Sequence, residues 1–385
     1  MGYWLYPFLN RQLKVMPFSS NFRGVLLAVV FLAAHVLPAR AIRPIRPPAP
    51  EFPPGSAWIN SKPFKMEQLK GHRVVLVVFL NAYSLNSIRT FSHLTRWWET
   101  YGLEGLMMIG VHSPDFDFDR DPLQSRKAIE AAGIKFPIVI DNRKKIWDAY
   151  KNEGWPAYFL IDHKGRVIHD QLGEGRYAEF ESEILRALDK FNGYTPPEGY
   201  RIPQEPTREG CSEATPPVFL GGRRGKKIIK IERRKLQAIT RTRDGETAMM
   251  GRWVEDADSI RYSGRQRTKF KDMVRLIYQG AESAAVISHF GDKPARVYIK
   301  QDNLWLHGAN ASMDVKWDDE DRSYVLVDRP KLYFLTKNKK KDRMHELFLY
   351  PTADGISISA FEFSDHCEIK YDRPGEKKKK KKKSQ

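Results

Sequence analysis

The chain has 385 residues, which is longer than one ordinary domain of about 100–200 residues and predicts two or three domains. Hydrophobic residues make up 41% and charged residues 29%, which excludes a wholly disordered, a collagen-like and a polytopic membrane protein. The net charge is +18, and the lysine run at 377–383 contributes seven of these charges. The two cysteines, Cys211 and Cys367, exclude a dense disulfide framework and a four-cysteine zinc site.

The first 41 residues contain the three parts of a secretory signal. Arg23 precedes an apolar run at 24–37, and the A-R-A stretch at 39–41 has the small-residue pattern of a cleavage site. The run is shorter than the about 20 apolar residues that a membrane-spanning helix needs. We therefore predict a signal peptide at 1–41, with Met16 as a second candidate start, and an uncleaved amphipathic anchor is the alternative.

The next region alternates between predicted strands and helices. A continuous apolar, mostly β-branched run predicts a strand buried on both faces at 73–80, and apolar residues at three- and four-residue spacing predict a helix over 88–101. Further strands are predicted at 106–111, 136–140, 157–162 and 167–172, and further helices at 124–132, 146–150 and 177–191. This order predicts an α/β domain over 57–193, with a central mixed sheet and helices on both faces.

Two proline-rich stretches, a spacer at 42–56 and a linker at 194–217, flank this domain. Beyond the linker, short alternating segments separated by Gly, Asp, Asn and Pro predict an all-β sandwich or jelly roll over 218–372. Its predicted strands lie at 273–279, 285–289, 295–300, 304–307, 323–327, 331–336, 345–350 and 356–363. Residues 373–385 form a lysine-rich tail that we expect to be disordered.

Five short motifs in the α/β region carry a family resemblance. Residues 83–90 (YSLNSIRT) follow the first predicted strand, where thioredoxin folds hold Cys-x-x-Cys at a helix N-terminus that activates a thiol. The other motifs are 106–114 (LMMIGVHSP), 136–142 (FPIVIDN), 155–162 (WPAYFLID) and 173–175 (GEG). Together they resemble the DipZ- and TlpA-like thioredoxin family over about residues 55–192. Motifs at 215–221, 251–253 and 329–333 more weakly resemble the β-rich C-terminal module of DipZ, often described as carbohydrate-binding-like.

The sequence departs from this family at the reactive position. Ser84 and Ser87 stand where the resemblance places the two cysteines, and a hydroxyl neither forms a disulfide nor ionises at neutral pH without an adjacent base. We therefore expect no catalysis from this degenerate site, and we interpret Ser84 as an N-cap whose side-chain oxygen accepts a backbone N–H.

The resemblance also implies a groove that pairs with an extended peptide. It implies a cis peptide bond at Trp155-Pro156, for which a proline that merely begins a strand is the alternative. The binding residues expected from the resemblance are Tyr83, Asn86, Trp155 and Pro156.

Two further motifs fail on inspection. The acidic run at 115–121 has Arg120 and Arg126 where a calcium loop needs Gly and Glu, so we expect it to lead into the following helix with its carboxylates near the helix dipole. Residues 221–226 (GGRRGK) are one residue short of a phosphate-binding P-loop and lack the following Ser or Thr. We expect neither a metal nor a cofactor.

Two classes of function remain. The first is an exported, non-catalytic protein of the periplasm or cell envelope that binds an extended polypeptide or a glycan. Aromatic residues such as Trp305 and Trp317 would stack on sugar rings if they are exposed, and the alternative is that they belong to the core of the β domain. The second is a thiol-disulfide oxidoreductase or redoxin-type enzyme that uses Cys211 or Cys367. In an oxidising compartment these cysteines are candidates for a disulfide that joins the two ends of the β domain.

The lysine tail suggests one further partner, an anionic membrane surface, if the protein is exported. A charge run of this kind is either a plain solvated tail or a contact with an anionic membrane surface, and we expect no nucleic acid.

Overall fold

The computed structural model describes residues 46–205, 207–225, 228–231, 243–266, 270–339 and 343–370, and for 207–210 and 366–370 it describes the backbone only. The predicted signal peptide at 1–41 and the tail at 373–385 lie outside these residues. Among the residues described, no helix is both long and apolar enough to cross a membrane.

The α/β domain is built on one mixed six-stranded sheet. Its strands are β1 (Trp58–Ile59), β2 (Val74–Leu80), β3 (Leu106–His112), β4 (Ile138–Ile140), β5 (Ala157–Ile161) and β6 (Val167–Leu172). Its helices are α1 (Leu85–Tyr101), α2 (Pro122–Ala131), α3 (Lys145–Ala149) and α4 (Tyr177–Asn192). The sheet order is β1-β4-β3-β2-β5-β6, with β2, β3 and β4 parallel to one another and the other strands antiparallel to their neighbours. The predicted fold is confirmed.

The centre of the sheet explains why β2 reads as a continuous apolar run. All seven of its residues are buried, because both faces of the strand are covered. One face packs against α1 and α4, where Leu94 and Trp97 of α1 are fully buried. The other face packs against α3, with Phe79 in contact with the rings of Trp147 and Tyr150.

The end of the predicted spacer belongs to the α/β domain. Phe52 is buried in the core on the α3 side of the sheet. The backbone N–H of Ala49 donates to the carbonyl of Gly165, and that of Val167 donates to the carbonyl of Pro47. Residues 46–56 are therefore a packed arm and not a free spacer, because these backbone bonds hold them against the β5–β6 hairpin.

Two packed sheets form the β domain. Its strands are β7 (Thr207–Ser212), β8 (Val218–Phe219), β9 (Ile229–Lys230), β10 (Thr247–Met250), β11 (Trp253–Glu255), β12 (Ile260–Tyr262), β13 (Met273–Tyr278), β14 (Glu282–Ser288), β15 (Ala295–Gln301), β16 (Leu304–Trp305), β17 (Lys316–Trp317), β18 (Ser323–Val327), β19 (Lys331–Lys337), β20 (His345–Pro351), β21 (Ser357–Ser364) and β22 (His366–Lys370). One sheet has the order β17-β18-β15-β20-β13-β10-β9, with β16 beside β15. The other has the order β11-β12-β21-β14-β19, with β8 beside β21. The predicted sandwich is confirmed.

Strand β7 lies within the stretch predicted as a linker. It pairs in an antiparallel ladder with β22, which makes the end of the linker part of the β domain. This six-residue segment contains a glycine and four charged or polar side chains and shows no alternation, which explains why the sequence pattern did not predict the strand.

The second sheet of the sandwich is apolar on both faces. Ala285 and Ile287 of β14 point into the sandwich core, while Ala284 and Val286 of the same strand belong to a separate cluster on the outer face. That outer cluster includes residues of the α/β domain, so the sheet is covered on both sides.

Candidate functional site

The N-terminus of α1 is the position where the resemblance places a reactive dithiol. Strand β2 ends at Leu80, and α1 begins at Leu85 with Ser84 as its N-cap in an extended conformation. The Ser84 hydroxyl makes no capping hydrogen bond, so the predicted capping role of this side chain is wrong. The side chain of Ser87 is buried, and its oxygen accepts the backbone N–H of Asn81 over 3.1 Å.

The capping role falls to a residue of the β domain. The Leu85 N–H donates to the carboxylate of Glu362 on β21 over 2.6 Å. The positive end of a helix dipole favours an anionic acceptor at this place. Burial of the carboxyl group raises the pKa of Glu362 to about 7, although hydrogen bonding to Leu85 opposes the shift.

The predicted cis peptide bond is present at Trp155-Pro156. Because Ala157 pairs with Phe79, this bond lies beside the end of β2, from which the turn into α1 starts. The Trp155 ring is half-buried and lies 4.5 Å from the ring of Trp147. Pro156 is buried, so of this pair only Trp155 has a side chain that a ligand can reach.

The other two predicted binding residues differ in exposure. Asn86 is exposed in the first turn of α1. Tyr83 is only 2% exposed, and its ring meets Phe118 edge-on. Tyr83 is therefore a packing residue in this structure, because the β domain covers the face on which a peptide would have to bind.

An apolar interface joins this face to the β domain. Its buried members from the α/β domain are Tyr83, Leu85 and Phe116. Its buried members from the β domain are Ala284, Val286, Leu332, Phe334 and Ala360. The β domain therefore covers one side of the region around Ser84. It does so through these apolar residues and through Glu362, which binds the helix N-terminus.

Two arginines of residues 221–225, which we call the arginine loop, reach into the α/β domain. Arg224 donates to the Asp115 carboxylate over 2.6 Å and to its backbone carbonyl over 2.8 Å. Arg223 forms two hydrogen bonds with the Asp117 carboxylate, over 3.0 and 2.9 Å. The acidic run and the GGRRG stretch thus bind one another.

Glycine determines the shape of this loop. Gly221 has a φ of +91°, and a Cβ on it would lie 2.3 Å from the backbone nitrogen of Ser259. The loop can therefore pack directly on residues 256–259, where the Gly222 N–H donates to the Asp256 carbonyl. This close approach directs both arginines towards the α/β domain.

A third ion pair links the first turns of α1 to the β domain. Arg89 forms hydrogen bonds with Glu282 of β14 and, over 3.2 Å, with Glu174 of the α/β domain. The sequence did not predict Arg89, Glu282, Glu362 or the arginine loop as site residues. The detectable signal was a carboxylate in the middle of an otherwise buried strand, since β21 reads SISAFEFS.

A buried polar network lies beneath the α1 turn. Asp119 accepts hydrogen bonds from the Asn81 amide and contacts His112 Nε2, both over 2.8 Å. Burial opposes protonation of His112, but the charge and hydrogen bonds of Asp119 outweigh it and raise the His112 pKa. Within the described residues, neither serine hydroxyl is hydrogen-bonded to a histidine that could act as its base, and no group of three or more His, Cys, Asp or Glu residues could hold a metal ion.

The two cysteines lie on β7 and β22 of the β domain. Cys211 is exposed and disulfide-bonded. Cys367 belongs to β22, whose backbone runs antiparallel to that of β7, and its side chain is outside the described part of the chain. The pairing of Cys211 with Cys367 remains a prediction that this strand ladder supports.

The sheet order, the α1 turn beside a cis-proline and the closing β5–β6 hairpin define a thioredoxin-like domain. Residues 46–170 match the AhpC/TSA family, which confirms the predicted resemblance for this part of the chain. Protein DipZ of Mycobacterium tuberculosis (strain CDC 1551 / Oshkosh) is 34% identical over 175 residues, which is 45% of this chain and 24% of DipZ. The chain thus matches about a quarter of the length of that relative.

Two shorter relatives are covered more fully. Thiol-disulfide oxidoreductase YkuV of Bacillus subtilis is 28% identical over 144 residues, which is 37% of this chain and 96% of YkuV. The crystal structure of a putative thiol:disulfide interchange protein DsbE from Chlorobium tepidum is similar at 21% identity and a TM-score of 0.33, covering 37% of this chain and 96% of that one.

Proposed function

We propose that the protein is an extracytoplasmic binding protein whose thioredoxin-like domain does not exchange thiols for disulfides. The chief support is the α1 N-terminus, where Ser84 and Ser87 carry hydroxyls and the Leu85 N–H is bonded to Glu362. A thiolate at this place would need both a sulfur atom and the free helix N-terminus that stabilises its charge. In this chain neither residue has a sulfur atom, and the Glu362 carboxylate of the β domain occupies the helix N-terminus.

The proposed ligand is an extended polypeptide or an envelope glycan. Asn86, which is exposed in the first turn of α1, and Trp155, which precedes the cis-proline, are our candidates for polypeptide contact. On the β domain, the Trp317 ring is 40% exposed, and its Nε1–H donates to the Leu306 carbonyl over 2.7 Å. A tryptophan held by such a bond presents a rigid face on which a sugar ring can stack.

We place the protein in the cell envelope. The support is the signal-like sequence at 1–41 and the similarity to DipZ, YkuV and the thiol-disulfide oxidoreductase ResA of Bacillus thuringiensis. The run at 377–383 would then meet anionic headgroups of a membrane surface.

Insulin reduction tests the absence of thiol exchange. We expect no activity from the mature protein in the presence of dithiothreitol above the rate of dithiothreitol alone. A Ser84→Ala/Ser87→Ala variant serves as the matched control and should give the same rate. Wild-type activity that disappears in this control would contradict the proposal, because it would place redox chemistry at the α1 turn.

Ligand binding is tested with two probes. We expect Trp155→Ala to weaken binding of a carboxymethylated unfolded polypeptide, and Trp317→Ala to weaken retention on insoluble cell-wall glycan. Leu103→Ala is the control, because this side chain is 96% exposed in the turn after α1 and belongs to neither surface. If the wild-type protein binds neither probe, or if both variants behave like the control, the proposed ligand classes are wrong.

A second candidate function uses the cysteines outside this site. It is favoured by the exposure of Cys211, since a disulfide that a thiolate can reach is open to exchange. Insulin reduction that persists in the Ser84→Ala/Ser87→Ala variant and disappears in Cys211→Ser would support this function. A Cys211→Ser protein with unchanged activity would exclude a role for that residue.

A further inference from the structure

Glu362 occupies an unusual position between the two domains. It comes from β21 of the β domain, yet its hydrogen-bond donor is the first N–H of α1 in the α/β domain. Ala360, two residues earlier on the same face of β21, packs with Leu85 in the apolar interface. Glu362 is half-buried between this helix N-terminus and the apolar interface, so the surroundings of its carboxyl group would change if the domains separated.

The cation nearest to Glu362 is already bound elsewhere. Arg89 lowers the pKa of Glu362 by its charge, but its guanidinium hydrogen-bonds to Glu174 and Glu282. Asp115 acts in the opposite direction and is itself paired with Arg224. Among the described residues Glu362 thus has a backbone donor and no arginine or lysine partner of its own, so proton uptake is its main route to charge neutralisation.

Burial favours the protonated form as long as the domains are in contact. Burial is the largest cause that raises the pKa of Glu362 to about 7, well above its ordinary value of 4.5. When the domains separate, water solvates the carboxylate and the ordinary pKa returns. The docked state therefore holds a proton that the separated state releases between pH 4.5 and pH 7, and docking must weaken as the pH rises through this window.

The neighbouring ionisable groups do not reverse this sign. Burial also raises the pKa of Asp115, so its contribution has the same direction. Burial raises the pKa of Tyr83 above its usual range, which keeps this phenol neutral over the whole window. His112 bonds to Asp119 inside the α/β domain, and separation of the domains leaves that pair intact.

We propose that the contact between β21 and the N-terminus of α1 is a pH-sensitive latch, which closes the β domain over the degenerate thioredoxin face in acid and loosens as the pH rises towards neutrality. The latch does not depend on the proposed function, since it would also control access to the α1 turn in a redox-active protein. It gives the Ser84 face two states: covered at low pH and open to a ligand at higher pH.

Hydrogen exchange of the backbone amides at 83–89 tests the latch in the full chain. Exchange is measured by mass spectrometry between pH 5 and pH 8 in wild-type protein and in Glu362→Gln, which keeps an oxygen acceptor but does not titrate. Intrinsic exchange rates cancel when the two proteins are compared at the same pH. Glu320→Gln is the matched control, because it removes a carboxylate that is 69% exposed and lies between β17 and β18 in the other sheet of the sandwich.

We expect the ratio of wild-type to Glu362→Gln protection to fall at least about tenfold from pH 5 to pH 8, with most of the fall below pH 7 and a plateau above it, while Glu320→Gln follows wild type. A ratio that does not change with pH, or one that rises, would overturn the proposal. Amides of β13 and β20 report whether each variant is folded. If Glu362→Gln does not fold, the test is the wild-type protection alone, corrected for intrinsic exchange. Protection that does not fall between pH 5 and pH 7 then overturns the latch.

Discussion

Arg224 and Asp115 form a partly buried ion pair between the two domains, and its energy can be compared with that of an exposed pair in the same loop. The Asp115 side chain is 15% exposed and that of Arg224 is 33% exposed. Burial raises the pKa of Asp115, while the charge of Arg224 opposes this rise. The Arg224 guanidinium also lies 4.0 Å above the Phe219 ring, which adds a cation–π contact.

Arg223 and Asp117 provide the comparison. Their two hydrogen bonds are equally well formed, but the side chains are 48% and 46% exposed. Water screens such a pair, and exposed pairs typically contribute about 0.2–1 kcal/mol. A double-mutant cycle removes the contributions of third residues, such as Phe219 beneath Arg224 and Arg120, which pairs with Asp117 over 3.5 Å. A difference between the two coupling energies therefore chiefly reflects how far each pair is removed from water.

We predict a coupling energy of about 2 kcal/mol for Asp115→Asn with Arg224→Met, and less than about 1 kcal/mol for Asp117→Asn with Arg223→Met. Methionine keeps an apolar stem in place of the arginine side chain and removes the charge. Urea unfolding followed by tryptophan fluorescence provides the free energies for both double-mutant cycles. The contribution of the interface is part of the free energy of unfolding of the domain that unfolds first.

Equal coupling energies for the two pairs would refute this reasoning. So would a value below about 0.5 kcal/mol for Asp115 and Arg224, because a carboxylate that is out of water must lose more when its cation is removed. Either result would mean that the arginine loop is solvated in solution and does not hold the domains together.

Three further predictions concern the α/β domain. Ser84→Ala should change the free energy of unfolding by less than about 0.5 kcal/mol, because its hydroxyl makes no capping hydrogen bond. Ser87→Ala should lower the free energy of unfolding by about 1–2 kcal/mol, because its buried oxygen accepts a backbone N–H. Urea unfolding of both variants checks this order. Burial opposes ionisation of Glu181, but hydrogen bonds from four side chains hold its pKa at about 2. The free energy of unfolding should therefore fall as the pH drops from 4.5 through 2. Glu181→Gln should make this fall smaller in acid unfolding curves. Gly110→Ala should cost about 1–3 kcal/mol, since a Cβ would lie 2.2 Å from Ile138 Cδ1, and a melting temperature equal to that of wild type would contradict this packing.

The elements of the α/β domain could be predicted because their signals are local. The apolar run of β2 and the helical spacing of Leu94 and Trp97 in α1 reflect the period of each element. In the β domain, the predicted segments at 273–279 and 345–350 correspond to β13 and β20 within one residue at either end. Several two- and three-residue strands, among them β1, β8 and β12, were missed, because so few residues show no period, whereas β4 and β16 lie within predicted strands.

The candidate site could be predicted in part. The cis bond at Trp155-Pro156 and the helix that begins after Ser84 followed from motifs adjacent in sequence. The accessibility of Tyr83 did not, since an aromatic residue at a helix N-terminus is equally consistent with a binding surface and with an interface. The β domain, far along the chain, decided between the two.

By itself, the sequence determined the order of the two domains, the period of their longer strands and helices, and the presence of oxygen in place of sulfur at residues 84 and 87. Only the tertiary structure decided what binds the α1 N-terminus and what the arginine loop binds. The reason is sequence distance: Leu85 and Glu362 are 277 residues apart, and Asp115 and Arg224 are 109 apart. No local pattern encodes such a contact, because it forms only when two separately folded sheets present complementary faces.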